Sequence, residues 1–304
     1  MKTILVPIDY SEDSKNALSY ALEIARITGS EIILFHVFYP IVSPPAAYDV
    51  ADVVLALEEA RTKDLATFAS TTIQELSERS AITNGKQGYD DVSLRSVARM
   101  GIAYEMILKA VDKYKVDLVI MGMQGGGSIS QAILGSTTIS VMQAGLVPVL
   151  AIPKRVPYSP FQSVVFAVNL KKLPADVDLR MLRKFLLAYK AQLHVLHLYR
   201  TKEQQVKFDA LPALENIAEK LEGVSYEAAF DVVEDVAAGI QQFIQENAAD
   251  LLVMLPQKHN FIGRLFDRSV TGRITAHPLV PLLALPFGSL QPVATTAEQE
   301  MLAN

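Results

Sequence analysis

Short, apolar, β-branched runs recur along the chain at Thr3–Ile8, Glu31–Phe38, Val92–Ala98, Asp117–Met121 and Pro148–Ile152. They read as nearly continuous apolar stretches rather than alternating ones, which marks strands covered on both faces. Between them lie segments of helical period. Over Ile102–Tyr114, for example, Ile102, Met106, Ile107, Ala110 and Val111 fall on one helical face. Ser11, followed by Glu12 and Asp13, predicts an N-cap with acidic residues in the first turn, where the helix dipole favours them. Strand–helix alternation of this kind predicts a doubly wound parallel α/β sheet, with right-handed crossovers placing helices on both sides.

The pattern repeats. Asp117-Leu-Val-Ile-Met-Gly122 is matched 133 positions later by Asp250-Leu-Leu-Val-Met-Leu255, and Val147–Pro153 is matched at the same offset by Val280–Pro286. Ile4–Asp9 resembles Val164–Asn169 and Phe35-His36-Val37 resembles Leu196-His197-Leu198, at offsets of 160 and 161. The first copy therefore carries about 27 extra residues between Val37 and Asp117, expected in the Ala- and Glu-rich run Tyr48–Ser80. Two homologous domains follow, expected at 1–153 and 163–288, with a linker at 154–162 and a flexible tail at 289–304. Three prolines between Pro153 and Pro160 predict a linker stiff enough to hold the domains apart.

Composition narrows the function classes. A chain of 304 residues with half of them apolar and a fifth charged can bury two cores. The net charge of −5 points to neither nucleic acid nor an anionic membrane. Without a single cysteine, thiolate zinc sites, disulfides and cysteine nucleophiles are excluded. The opening Met1–Asp9 lacks a signal-peptide core, and no stretch approaches the ~20 apolar residues of a membrane span, so a soluble cytoplasmic protein is expected.

One constellation carries chemistry. Gly122 and Gly125 follow the strand Asp117–Met121, and after nine more residues Gly135 opens a helical segment beginning Ser136-Thr137-Thr138 and ending near Gly145. Glycines let a backbone turn tightly and approach a polyanion closely. A helix starting at Gly135 presents free N–H groups and its positive dipole end, to which the hydroxyls of Ser136 and Thr137 add donors. The alternative is an ordinary glycine-rich strand-to-helix loop capped by Ser136. Its place after a strand, at the carboxyl edge of a parallel sheet, favours a ligand site. Asp9, at the end of the first strand, stands over that crevice or else anchors the turn Asp9-Tyr10-Ser11. No Walker loop, dinucleotide fingerprint or nucleophile elbow is present. His36 and His197, at strand ends, are expected to be hydrogen-bonded structural residues. His194 and His197 point to opposite strand faces and cannot share a metal.

Gly122-x2-Gly125-x9-Gly135-Ser136 after Asp117-Leu-Val-Ile-Met121 resembles the nucleotide signature of ATP-binding universal stress proteins. Ile4–Asp9, Phe35-His36-Val37, Gly101 and Val147–Pro153 fall where that family has them. The resemblance implies two adenine nucleotide α-hydrolase-like domains, each with a five-stranded parallel sheet of order 3-2-1-4-5. It implies that the last strands pair as an intrachain pseudo-dimer, with a homodimer also open. In its terms Asp9 and the main chain of Val37 hold adenine, Pro7 and Ile8 line the base, and Gly122, flanked by Met121 and Gln124, faces the ribose. Gly125, Gly135, Ser136 and Thr137 hold the phosphates of ATP (or of ADP or AMP), which carry the Mg²⁺. Gln124 stands where many members have Arg or His, which removes a positive charge. In the second copy Asn169, Leu255, Lys258 and Arg268 replace Asp9, Gly122, Gly125 and Gly135, and only Ser269 keeps its type. That pocket is expected to be dead for ATP. Lys258, His259, Arg264, Arg268 and Arg273 make a basic stretch that is either an anion or partner site or a solvated face. The function expected is a nucleotide-responsive stress or regulatory protein acting through an unknown protein partner. The alternatives are a slow ATPase or nucleotidyl-transfer enzyme and a nucleotide-free scaffold.

Overall fold

The computed structural model describes residues 1–39, 50–84, 88–124, 134–256 and 280–287, with the backbone alone over 79–84. The first apolar run forms strand β1 (Thr3–Pro7), and helix α1 (Glu12–Thr28) follows. The Ser11 hydroxyl accepts the Ser14 N–H at 3.2 Å, closing the predicted N-cap, and Gly29 ends the helix at φ 66°. Strand β2 (Glu31–Phe38) leads to the long helix α2 (Val50–Asn84) and strand β3 (Leu94–Met100), which lies two residues beyond the predicted run. Helix α3 (Ala103–Lys113), strand β4 (Leu118–Gly122), helix α4 (Ser136–Ala144) and strand β5 (Val149–Ile152) complete the first half. Ile102, expected on the buried face of α3, is instead its N-cap and 57% exposed, because the helix begins one residue later.

The second half repeats the order with β6 (Ser163–Ala167), α5 (Arg180–Tyr189) and β7 (Gln192–Tyr199). It continues through α6 (Lys202–Lys207), α7 (Leu211–Lys220), β8 (Tyr226–Val232), α8 (Val236–Glu246), β9 (Leu251–Met254) and β10 (Leu282–Ala284). The extra residues of the first copy are thus spent on α2, one helix of 35 residues in place of the shorter α6 and α7.

The strands run β3-β2-β1-β4-β5-β10-β9-β6-β7-β8. Each half keeps the parallel order 3-2-1-4-5, and β5 pairs antiparallel with β10, Leu150 opposite Leu283. One ten-stranded sheet results, and the last strands do join within one chain. Two buried layers cover its faces. One contains Ile4, Leu150, Ile152, Phe166 and Leu283, the other Leu5, Val119, Ala151, Val165 and Leu282, so each core crosses the junction without a break.

The proline-rich linker does not hold the halves apart. Asn16 donates to the carbonyls of Pro153 (3.1 Å) and Val156 (2.8 Å), and the Tyr20 hydroxyl donates to that of Pro157 (3.1 Å). Just past it, Phe161 is fully buried, with its ring 5.1 Å from Tyr189, 6.0 Å from Phe185 and 6.4 Å from Tyr20. The stiffness predicted for the prolines serves a packed seam. No helix among the described residues is long and apolar enough to cross a membrane.

Candidate functional site

In the first half β1 and β4 lie side by side, and the chain leaves both at the carboxyl edge of the sheet. A cavity of about 410 Å³ opens there. Pro7, Ile8 and Asp9 line it from the end of β1, Val37 from β2, and Met121, Gly122 and Gln124 from the end of β4 and just beyond. Gly135, Ser136 and Thr137 close it from the start of α4. Ten of the eleven predicted residues therefore meet around one hollow, and the eleventh, Gly125, lies outside the described residues. So do Lys258, His259, Arg264, Arg268, Ser269 and Arg273, and the tail from 288.

Backbone geometry explains why this edge is receptive. In β2 the even residues bond β3, since Ile32 donates to Ser93 and Phe38 accepts from Gly101. The odd residues face β1, and Phe35 accepts the Ile8 N–H at 2.9 Å. Beyond Ile8 the first strand has turned away, and the Ile8 carbonyl is engaged by His36 Nδ1 at 2.8 Å. Val37 thus directs its N–H and C=O into the space that β1 vacates. That is an edge able to pair with a flat, hydrogen-bonding ring.

At the opposite end, α4 is capped by Gly135 in extended geometry (φ −61°, ψ 146°), with no side chain to accept the first N–H groups. The first amide of the helix to find an intrahelical acceptor is that of Ile139, 3.0 Å from the Gly135 carbonyl. Among the described residues nothing accepts from the amides of Ser136, Thr137 and Thr138, at the positive end of the dipole. Thr138, which the motif reading did not single out, ties the helix to the strand: its hydroxyl donates to the Gly122 carbonyl at 3.0 Å. Ser14, Phe35, Ala103 and Ile107 also line the cavity unforeseen. Ile107 and Ala103 had a signal in the helical period of α3, whereas Ser14 and Phe35 enter only through the fold.

Asp9 fills both roles that the sequence left open. It is exposed at the cavity wall, and its Oδ1 accepts from the Ser11 N–H (3.0 Å) and hydroxyl (2.5 Å). The turn between them holds Tyr10 at φ 64°, with its ring 4.6 Å from His36 and 5.2 Å from Phe68 of α2. One turn later, Asp13 is almost wholly buried, its Oδ1 4.0 Å from Lys154 and without a hydrogen bond. Burial pushes its carboxyl up, and Lys154 offsets this only in part.

Gly122 is required by the protein itself. A Cβ there would lie 2.9 Å from Asp13 Cβ and 3.0 Å from the Gln124 carbonyl oxygen. Close packing of α1 on β4 accounts for the glycine, independently of any ribose.

Comparison with known proteins agrees with this architecture. The universal stress protein family model matches residues 1–153 and 160–286. Universal stress protein MJ0577 of Methanocaldococcus jannaschii is 27% identical over 158 residues, 51% of this chain and 96% of the relative. Universal stress protein Sll1654 of Synechocystis is 26% identical over 152 residues, 50% of this chain and 85% of the relative. The crystal structure of a universal stress protein from Archaeoglobus fulgidus superposes with a TM-score of 0.62 at 18% identity, covering 94% of this chain and 98% of that one.

Proposed function

Since the chain belongs to the universal stress protein family, we propose that it is a cytoplasmic nucleotide-responsive regulator that binds ATP in its first half only and signals through a protein partner. The observation that carries the proposal is one cavity joining two kinds of recognition. Asp9 and the Val37 main chain suit the edge of an adenine ring. The glycine-capped start of α4, with its unclaimed amides, suits a phosphate chain. Pro7 and Ile8 would pack on the base, and Met121, Gly122 and Gln124 would lie beneath the sugar. Gly125 would extend the cradle for the phosphates. Mg²⁺ would ride on the phosphates rather than on a protein site. With Gln124 uncharged, the backbone supplies most of the phosphate binding, so ADP and AMP are close competitors of ATP.

Restricting the nucleotide to the first half rests on Asn169 and Leu255, which stand where Asp9 and Gly122 do. Titration calorimetry with ATP–Mg²⁺ tests the reading, with one site per chain as the expected result. Gly135→Asp should abolish binding while leaving the fold intact. An aspartate is a favourable N-cap at that backbone geometry, and its carboxylate would claim the amides meant for phosphate. Two sites per chain, or unchanged binding in Gly135→Asp, would refute the proposal.

A further inference from the structure

The second half has a cavity at the equivalent edge, built from different chemistry. It is larger, about 510 Å³ against about 410 Å³. The extra room has a structural source. In the first half α1 starts five residues past β1, at Glu12. In the second, a single 3-10 turn (Leu170–Lys172) and an irregular stretch follow β6, and α5 begins only at Arg180. The first turns of the helix are missing, and Leu255 occupies the position of Gly122 because the Asp13-like neighbour that forbade a side chain is gone.

The walls are aromatic and apolar. His197, Tyr199 and Phe208 line the cavity, with the His197 ring 4.5 Å from Tyr199 and 5.5 Å from Phe208. His197 Nδ1 donates to the Val168 carbonyl at 3.0 Å, and burial pushes the imidazole down, a shift that this bond opposes. Val236, Ile240 and Met254 add apolar lining from the other face of the sheet. The rim is cationic. Lys171, Lys172 and Arg200 are exposed at the mouth, and among the described residues no carboxylate lines the cavity and none of the three is ion-paired.

We infer that this second cavity binds a small aromatic organic anion, its ring packed on the aromatic and aliphatic lining of the sheet edge, and its acidic head at Lys171 and Lys172. Aromatic faces prefer tilted or offset contact with another ring. A lysine pair at the mouth of an apolar cavity leaves a body unsolvated and a head charged, which selects an amphipathic acid over a neutral apolar molecule or a polyphosphate. The site does not depend on ATP binding in the first half.

Fluorescence titration of the full chain with anilinonaphthalene sulfonate, alongside its neutral analogue phenylnaphthylamine, tests this inference. One saturable site per chain is expected for the sulfonate, undisturbed by ATP–Mg²⁺. Removing the rim charge with Lys171→Gln and Lys172→Gln should weaken the sulfonate about tenfold, the size of one charge-assisted hydrogen bond, and leave the neutral probe unchanged. Asn169→Phe should displace both probes by filling the cavity. Asn169 is exposed at its wall and its side chain makes no capping bond, so circular dichroism should report an unaltered fold. The inference is overturned if ATP displaces the sulfonate, if the charge-removing variant binds both probes as before, or if Asn169→Phe retains them. Calorimetry with ATP on the same variants reports the first-half site separately.

Discussion

Gly122 and Leu255 occupy the same place in two copies of one fold, and what differs is the neighbour. Beside Gly122 the first turn of α1 brings Asp13 so close that a Cβ would stand 2.9 Å from the Asp13 Cβ. Beside Leu255 no such turn exists, and the side chain is buried in the core at 7% exposure. Gly122→Ala should therefore destabilise the protein by about 1–3 kcal/mol through overpacking, measured by urea unfolding. A neutral result would mean that the glycine serves a ligand alone. The helix ends show the same logic. Gly29 closes α1 at φ 66°, whereas Lys190 closes α5 at φ 53°. Replacing Lys190 with Gly should stabilise the chain by about 1 kcal/mol, since a side chain strains the left-handed region. Thermal unfolding that shows no rise in midpoint would count against this. The glycine spacing and the Asp9 position were legible in the sequence because they are local. The burial of Asp13 against Gly122 was not, because their numbers differ by more than a hundred and only the β1–β4 pairing brings them together.

Among the elements, α2 carries the extra residues of the first copy. It covers the edge strand of the sheet. Two outward N–H groups of β3 are taken by its side chains: Thr62 Oγ1 accepts from Ala98 at 3.0 Å and Glu58 Oε1 from Met100 at 3.1 Å. Glu58 also meets Arg99 at 3.3 Å, while Leu65, Ala69 and Thr72 of α2 are buried. An uncovered edge is a template for another strand. The double variant Glu58→Ala, Thr62→Val leaves two amides unclaimed. It should lose about 1 kcal/mol per bond and form higher-order species on size-exclusion chromatography. A variant that stays at the wild-type elution volume and stability would refute a covering role. At the opposite edge, β8, there is no long helix of this kind among the described residues, since α6 and α7 are short. The sequence placed the insertion correctly between Val37 and Asp117. It gave no means of telling an edge cover from a lid, because the Thr62 and Glu58 contacts depend on which strand ends the sheet.

Over the whole molecule, the antiparallel β5–β10 seam makes two repeats into one body. Both core layers run through it, and the aromatic cluster around Phe161 joins α1, the linker and α5. The halves should therefore unfold together. Phe161→Ala should cost about 3–5 kcal/mol, in the range for a fully buried aromatic, and lower one common transition. Circular dichroism and tyrosine fluorescence, the latter free of tryptophan signal, would show two separate transitions if the halves were independent.

By itself the sequence determined the repeat, the α/β class, the strand order implied by its family resemblance, and ten of the fifteen described residues around the first cavity. All of these are written in short stretches of chain: periodicity, caps and glycine spacing. Tertiary structure alone decided that the linker is a seam, that α2 guards an edge, and that the loss of two helical turns turns the second pocket into a larger, aromatic and cationic one. Each of these depends on which distant segments touch, and a contact between residues far apart in number leaves no period to read.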